Sequence, residues 1–286
     1  MSGRSRLKRA RALGGAIAAG GVIAACGSED AEKASTRLVP AGAKVNRLDI
    51  SVTEPRPGRF RYRATREVRG GLVEIRFKNS GRSPRKAQLW RVGRGHSVTQ
   101  ALRVRGTLPR WLEWAGGVGL TAPGRTGVAV QRLSPGTYYV TGIGSERRGI
   151  APLRVTAGGS EAGLVSAADA RVTAVDYGYR VSGLAPGPAS VEFRNTGKEP
   201  HHGFFAPLRD GRTLREARDF FAGKLPGPPP VDPEATRETV VLEGGGTQVT
   251  RLNLESGRYA LLCFVRDRAG GPPHTEKGMV AEVKVP

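Results

Sequence analysis

The sequence is poor in the residue types from which reactive and metal-binding sites are built. Its 286 residues include two cysteines, two methionines and four histidines. It contains no persuasive Ser/His/Asp arrangement, paired-carboxylate motif or phosphate-binding loop. The apolar stretch at residues 14–25 is too short to span a bilayer. These absences leave few candidate functional residues, so a site made of His, Cys and Met can be located by inspection.

The N-terminus has the features of an export signal. Residues 1–13 carry five basic side chains and no acidic one, and the apolar stretch ends in Ile23-Ala24-Ala25-Cys26. This ending resembles the lipobox of bacterial lipoproteins, in which the cysteine is lipidated and the preceding peptide is removed. We therefore expect a signal peptide at 1–25, a lipid on Cys26 and a flexible tether at 26–43. The alternatives are a plain secretory signal and a cysteine that happens to end an apolar run.

Replacing Cys26 with alanine is expected to release the protein from the membrane, because its retention there is expected to depend on the lipid on Cys26. Cell fractionation and lipid labelling of the parent and the Cys26→Ala variant test this expectation. Unchanged membrane attachment, with no lipid label on the parent, would contradict it.

The C-terminal segment groups the scarce residues. Cys263 is followed by His274 and then by Met279, the only methionine beyond the initiator. A thiolate, an imidazole and a weak thioether are ligands of a mononuclear type 1 copper site. Outside the cell a lone thiol is prone to oxidation, from which metal ligation would protect it. The alternative is an ordinary buried thiol, a loop histidine and a core methionine.

A fourth candidate lies upstream, where Pro200-His201 follows a turn at Asn195-Thr-Gly197. With the downstream Cys, His and Met, this pattern resembles the cupredoxins, the plastocyanin and azurin family, over roughly residues 170–286. The resemblance implies that His201, Cys263, His274 and Met279 bind one type 1 copper ion. Two features depart from the family pattern. The Cys-to-His loop is long, and His202 stands where asparagine is usual.

The chain contains a diverged internal repeat. Residues 73–86 parallel 191–202, and residues 133–140 parallel 254–261. We therefore predict an all-β chain of two tandem cupredoxin-like antiparallel Greek-key sandwiches, at 44–157 and 169–286, with a linker at 158–168. Capping boxes beginning at Ser97 and Thr213 predict a short helix in each half. In the first half Arg85, Lys86 and Gly142 occupy the ligand positions, so we expect no metal site there.

The net charge of +21 raises the question of a polyanionic partner. The basic residues are scattered and no nucleic-acid-binding motif is present, so no nucleic acid is expected. Anionic lipid, cell-wall polymer or an acidic redox partner would fit an exported protein. Compositional bias alone is an equally good explanation.

Together these features predict a membrane-anchored, extracytoplasmic copper protein that transfers single electrons. The larger copper enzymes of the cupredoxin fold need extra histidines, often beside the cysteine. Here Leu262 and Phe264 flank Cys263, and only His96 and His202 are spare. The chain is therefore expected not to be an enzyme. The alternatives are a metal-free binding or assembly lipoprotein and a copper carrier.

Overall fold

The computed structural model describes residue 38 and residues 44–142, 149–158 and 168–286. The predicted signal peptide, Cys26, nearly all of the tether and most of the linker lie outside the described residues. Within the described part of the chain, no helix is long and apolar enough to cross a membrane.

The described chain consists mainly of β-strands, which confirms the predicted all-β class. The first half contains β1 (Asn46–Arg56), β2 (Arg59–Ala64), β3 (Glu67–Arg69), β4 (Gly71–Ser80), β5 (Arg85–Val92), α1 (Val98–Arg103), β6 (Leu112–Thr121), β7 (Thr126–Leu133), β8 (Gly136–Thr141) and β9 (Ala151–Thr156). The second half contains β10 (Ala170–Val175), β11 (Gly178–Ser182), β12 (Gly187–Asn195), β13 (Phe204–Pro207), α2 (Leu214–Phe221), β14 (Arg237–Glu238), β15 (Thr247–Leu254), β16 (Gly257–Leu262), β17 (Arg266–Asp267), β18 (Gly270–Pro273) and β19 (Val280–Val285).

One eight-stranded sheet runs through both halves in the order β11-β10-β12-β15-β7-β4-β1-β2. A second sheet faces it in each half, β3-β9-β8-β5-β6 in the first and β14-β13-β16-β19 in the second. Most strand pairs are antiparallel. Three pairs differ from the purely antiparallel prediction, because β1 with β4, β10 with β12 and β3 with β9 run parallel.

Each half has its own apolar core between its sheets. In β1 the side chains of Leu48, Ile50 and Val52 are buried at alternate positions, as expected for a strand with one face on a core. In the second half Phe193 and Phe205 are fully buried with residues of β16 and β19. Burying one large apolar side chain contributes about 1.5–3 kcal/mol, so these layers supply most of the driving force for folding.

The repeat seen in the sequence is also a repeat of local structure. Asn79 at the end of β4 donates its side-chain N–H to Thr121 O at 2.8 Å. Asn195 at the end of β12 donates in the same way to Leu242 O at 2.9 Å. Each bond joins the turn after a strand to the opposite side of the sandwich. The turn before His201 is therefore held by an asparagine hydrogen bond that has an equivalent in the first half.

The two predicted capping boxes are present. Ser97 caps α1 and Thr213 caps α2, and in each case the third helical residue returns a bond to the backbone of the cap. Each box satisfies backbone N–H groups that have no partner within the helix.

Buried glutamines connect the halves. Gln88 donates to Val241 O at 3.1 Å and accepts from Val241 N at 2.9 Å. Gln248 donates to Gly117 O at 2.6 Å. Because buried amide groups are costly to leave unpaired, these bonds favour one arrangement of the two halves.

Candidate metal centre

Three of the four predicted ligands come together at one end of the second sandwich. His201 pairs with Leu242 in an isolated bridge shortly before β13. Cys263 directly follows β16, and His274 directly follows β18. The cluster therefore joins a residue from one part of the fold to a pair at its C-terminal end.

The donor atoms of the cluster converge. His201 Nδ1 lies 3.0 Å from His274 Nδ1. Cys263 Sγ lies 3.9 Å from His201 Nδ1 and 3.5 Å from His274 Nδ1. All three side chains are 0% exposed. Among the described residues this is the one group of three or more His, Cys, Asp or Glu side chains spaced to hold a metal ion.

Two carboxylates orient the imidazoles. His201 Nε2 lies 2.6 Å from Asp176 Oδ1, and His274 Nε2 lies 2.9 Å from Asp267 Oδ1. An ionised carboxylate can only accept hydrogen bonds, so the nitrogen facing it must carry a proton. Each neutral imidazole therefore carries its proton on Nε2. Both Nδ1 lone pairs then point into the cluster beside the sulfur. This second layer of bonds is the one that orients metal-binding histidines.

The carboxylate of Asp267 is itself held in place. Tyr177 donates its hydroxyl to Asp267 Oδ1 at 3.0 Å, and the ammonium group of Lys277 pairs with Oδ2. Lys277 also lies 4.6 Å from the centre of the Tyr177 ring. These contacts cover the outer edge of His274 and fix the direction of its ring.

Burial is the main cause of the shifted pKa values in the cluster. It lowers the pKa of His274 to about 4, with His201 nearby adding to the effect. It also lowers the pKa of His201, although Asp176 opposes the shift. It raises the pKa of the Cys263 thiol to about 11. Near neutral pH both imidazoles are neutral, so a binding metal has one proton to displace, that of the thiol.

Met279, the fourth predicted ligand, is fully buried in the same apolar cluster as Cys263. Its backbone N–H donates to His274 O at 2.9 Å, which closes a turn between the two residues. β19 begins at the next residue. The turn thus returns the chain to the core directly after His274.

His202 departs from the expected geometry. Neighbouring residues of a regular strand point to opposite faces, so His202 would point away from the cluster if this segment were a strand. Instead, His202 Nδ1 lies 3.6 Å from Cys263 Sγ. Alternation fails because His201 forms an isolated bridge and β13 begins only at Phe204. His202 nevertheless stands outside the group whose donor atoms all lie within 4.8 Å of one another.

The long Cys-to-His loop forms the hairpin β17-β18, and Arg268 attaches it to the first half. Arg268 donates to Pro109 O and to Leu112 O, each at 2.7 Å. Its own carbonyl accepts from Leu108 N at 2.8 Å, and its guanidinium pairs with Glu243. No sequence motif indicated this attachment, which lies next to Asp267.

The ligand positions of the first half hold other side chains. The Arg85 guanidinium lies 3.7 Å from the centre of the Phe60 ring, and Lys86 Nζ lies 2.7 Å from Glu238 Oε2. Gly142 offers no ligand atom. His96 is exposed and stacks on Trp111, with ring centroids 4.1 Å apart. None of these residues belongs to a metal-binding group within the described ranges.

Comparison with known proteins finds likeness in structure. No protein-family profile matches the sequence, and no curated protein matches it. The similar solved structures include auracyanin from Roseiflexus castenholzii (21% identity, 41% of this chain, 94% of that one, TM-score 0.26). They also include the copper nitrite reductase of Nitrosomonas europaea (12% identity, 85% of this chain, 94% of that one, TM-score 0.24). A multicopper oxidase matches 87% of this chain and 91% of its own, at 15% identity and a TM-score of 0.25.

The comparison corrects one prediction. The chain was expected not to be an enzyme, and this expectation is contradicted because oxidases and nitrite reductases stand among the similar structures beside the auracyanins. The scarcity of histidine was therefore an insufficient ground for excluding enzymes. These similar structures are proteins of the cupredoxin fold, the fold that the sequence motifs of this chain resemble.

Proposed function

We propose that the second half of the chain binds one copper ion through His201, Cys263 and His274 and exchanges single electrons through it. Met279 would be a fourth, weakly bound ligand in this proposal. The observation that carries it is the convergence of two Nδ1 lone pairs and one sulfur, with both Nε2 atoms held by carboxylates.

The donor set fits copper in kind and in spacing. Two imidazoles, a thiolate and a long thioether are the ligand types of blue-copper electron-transfer sites. Donors that share one ion at a bond length of about 2.0–2.3 Å lie roughly 3.5 Å apart when they surround it in a plane. The three separations between donor atoms in the cluster are 3.0, 3.5 and 3.9 Å. A bound copper ion would supply the one-electron couple.

The surrounding residues keep the donors rigid. Asp176 and Asp267 fix the two rings, and the turn from His274 to Met279 fixes the end of the loop. A site whose ligands move little favours rapid electron exchange. Full burial of all three donors also favours electron transfer over metal delivery, because a carrier must release its ion to a partner.

The location and partners belong to the same proposal. A lipid on Cys26 would anchor the protein on the extracytoplasmic face of the cell membrane. The net charge of +21, or +16 once the five basic residues of the signal peptide are removed, would attract an acidic redox partner or an anionic surface, and the attraction would weaken with salt. The first half, which has cations at its ligand positions, would support the site without binding metal.

Titration of soluble protein comprising residues 27–286 with copper is expected to give one tightly bound ion per chain. The described residues contain one suitable donor group, and Arg85 and Lys86 occupy the corresponding places in the first half. Metal analysis after gel filtration measures the ratio. A ratio near two would mean a second site, and a ratio near zero would favour a metal-free scaffold.

Replacing Met279 with leucine is expected to preserve the visible colour and to raise the reduction potential. An axial thioether bonds weakly, so its loss leaves the thiolate bond intact while removing a donor that favours the oxidised ion. Absorption spectra and potentiometry of the parent and the variant measure both effects. An unaltered potential would remove Met279 from the ligand set.

A further inference from the structure

A cavity of about 610 Å³ lies between the two halves, next to the candidate metal centre. The segment from α1 to β6 forms one wall and the start of the Cys-to-His loop forms another. Its aromatic and apolar lining includes Trp90, Leu102, Trp114, Tyr139, Phe204 and Phe264. A volume of this size is typical of small-molecule sites, which lie preferentially where domains meet.

We infer that this cavity binds a small planar aromatic molecule that carries a carboxylate. The inference goes beyond the proposed function, because it concerns a ligand other than metal and holds for the metal-free chain.

The shape of the lining favours a flat ligand. The ring centroids of Trp90 and Trp114 lie 3.7 Å apart with the ring planes tilted by 33°, and the rings of Trp90 and Tyr139 are parallel within 3° with centroids 6.0 Å apart. All three rings line the cavity and give it flat apolar surface, on which another aromatic ring packs favourably. Phe264 from the loop adds a ring from the opposite half of the chain.

The charges of the lining favour an anion. Of the two acids in it, Glu238 is paired with Lys86 at 2.7 Å, and Asp267 is engaged by His274 and Lys277.

By contrast, the exposed lining residues Arg105 and Arg266 donate to backbone carbonyls. A carbonyl carries no net charge, so these bonds do not neutralise the positive charge of the two guanidinium groups. A carboxylate at this rim would meet guanidinium groups with which it forms strong paired hydrogen bonds.

The cavity also adjoins the sulfur of the candidate metal centre. His202 lines the cavity, and its Nδ1 lies 3.6 Å from Cys263 Sγ. A ligand in the cavity would therefore be separated from the sulfur by one imidazole ring. The unexpected inward orientation of His202 places it between the two sites.

Calorimetric titration of the metal-free full chain with three naphthalene probes tests the inference. Naphthoate is expected to bind at least about tenfold more tightly than neutral naphthylmethanol, and naphthylmethylammonium is expected to bind most weakly. Equal affinities for the three probes, or no binding by naphthoate at millimolar concentration, would overturn the proposal.

Two variants on α1 test whether the ligand binds in this cavity. Leu102 lines the cavity, whereas Arg103 is exposed and is not part of the lining. Leu102→Trp is expected to fill the space and weaken naphthoate binding about tenfold or more, while Arg103→Trp leaves it unchanged. Circular dichroism verifies that both variants fold. Equal binding by both variants would place the ligand elsewhere and overturn the assignment.

Discussion

Replacing Cys263 with serine is expected to abolish the intense visible absorption of the copper-loaded protein. The absorption arises from charge transfer between the thiolate and copper, and a hydroxyl group does not provide it. Serine is close to cysteine in shape, so the fully buried position remains filled. Absorption spectroscopy after copper loading, with metal analysis of the same sample, measures the effect.

His202→Ala provides the matched control, because His202 contacts the same sulfur without belonging to the converging group. It is expected to retain the absorption band. Retention of the band by Cys263→Ser would refute the proposed thiolate ligand. Loss of the band in His202→Ala would mean that His202 is itself part of the site.

Replacing Arg268 with glutamine is expected to lower the free energy of unfolding of the metal-free protein by about 2–4 kcal/mol. The side chain is 20% exposed, and its partner Glu243 is 21% exposed. Burial raises the pKa of Glu243, while Arg268 and the Trp114 backbone N–H oppose the rise. Without the guanidinium, a largely buried carboxylate loses its partner and two backbone carbonyls lose a donor. Urea unfolding measures the change.

Arg266 offers a matched control in the same hairpin, since it is exposed and its guanidinium donates to Gly271 O within the loop. Arg266→Gln is expected to change stability by no more than about 0.5 kcal/mol. Equal stability of the two variants would show that the attachment of the loop to the first half contributes little.

The candidate site was largely predictable because it consists of scarce residues. With four histidines and two cysteines in 286 residues, the combination of His201, Cys263 and His274 stood out. The orienting carboxylates did not stand out. Asp176 and Asp267 are two of 25 acidic residues, and nothing near Asp176 in the sequence indicates its contact with His201. Long-range polar contacts of common residue types leave no local pattern.

The fold was predictable in class and less so in detail. Short β-branched runs separated by Gly and Pro indicated strands. Such a run does not indicate whether the strand paired with it in the sheet is parallel or antiparallel. The sequence indicated a turn at Asn195-Thr-Gly197, but it did not indicate a second reason why a glycine is required at position 197. A Cβ on Gly197 would lie 2.2 Å from Asp176 Oδ1, the atom that holds His201. Such a requirement appears only when the distant aspartate is in place.

The pairing of β7 with β15 joins the two halves and affects whether either half could be produced on its own. β7 and β15 meet through three residue pairs, which make two four-stranded sheets into one. Cutting the chain at the linker would leave β15 at an open edge with unsatisfied backbone N–H and C=O groups. An exposed edge of this kind invites pairing with another strand. By pairing with β15, the first half covers this edge, and that role requires no metal ligand.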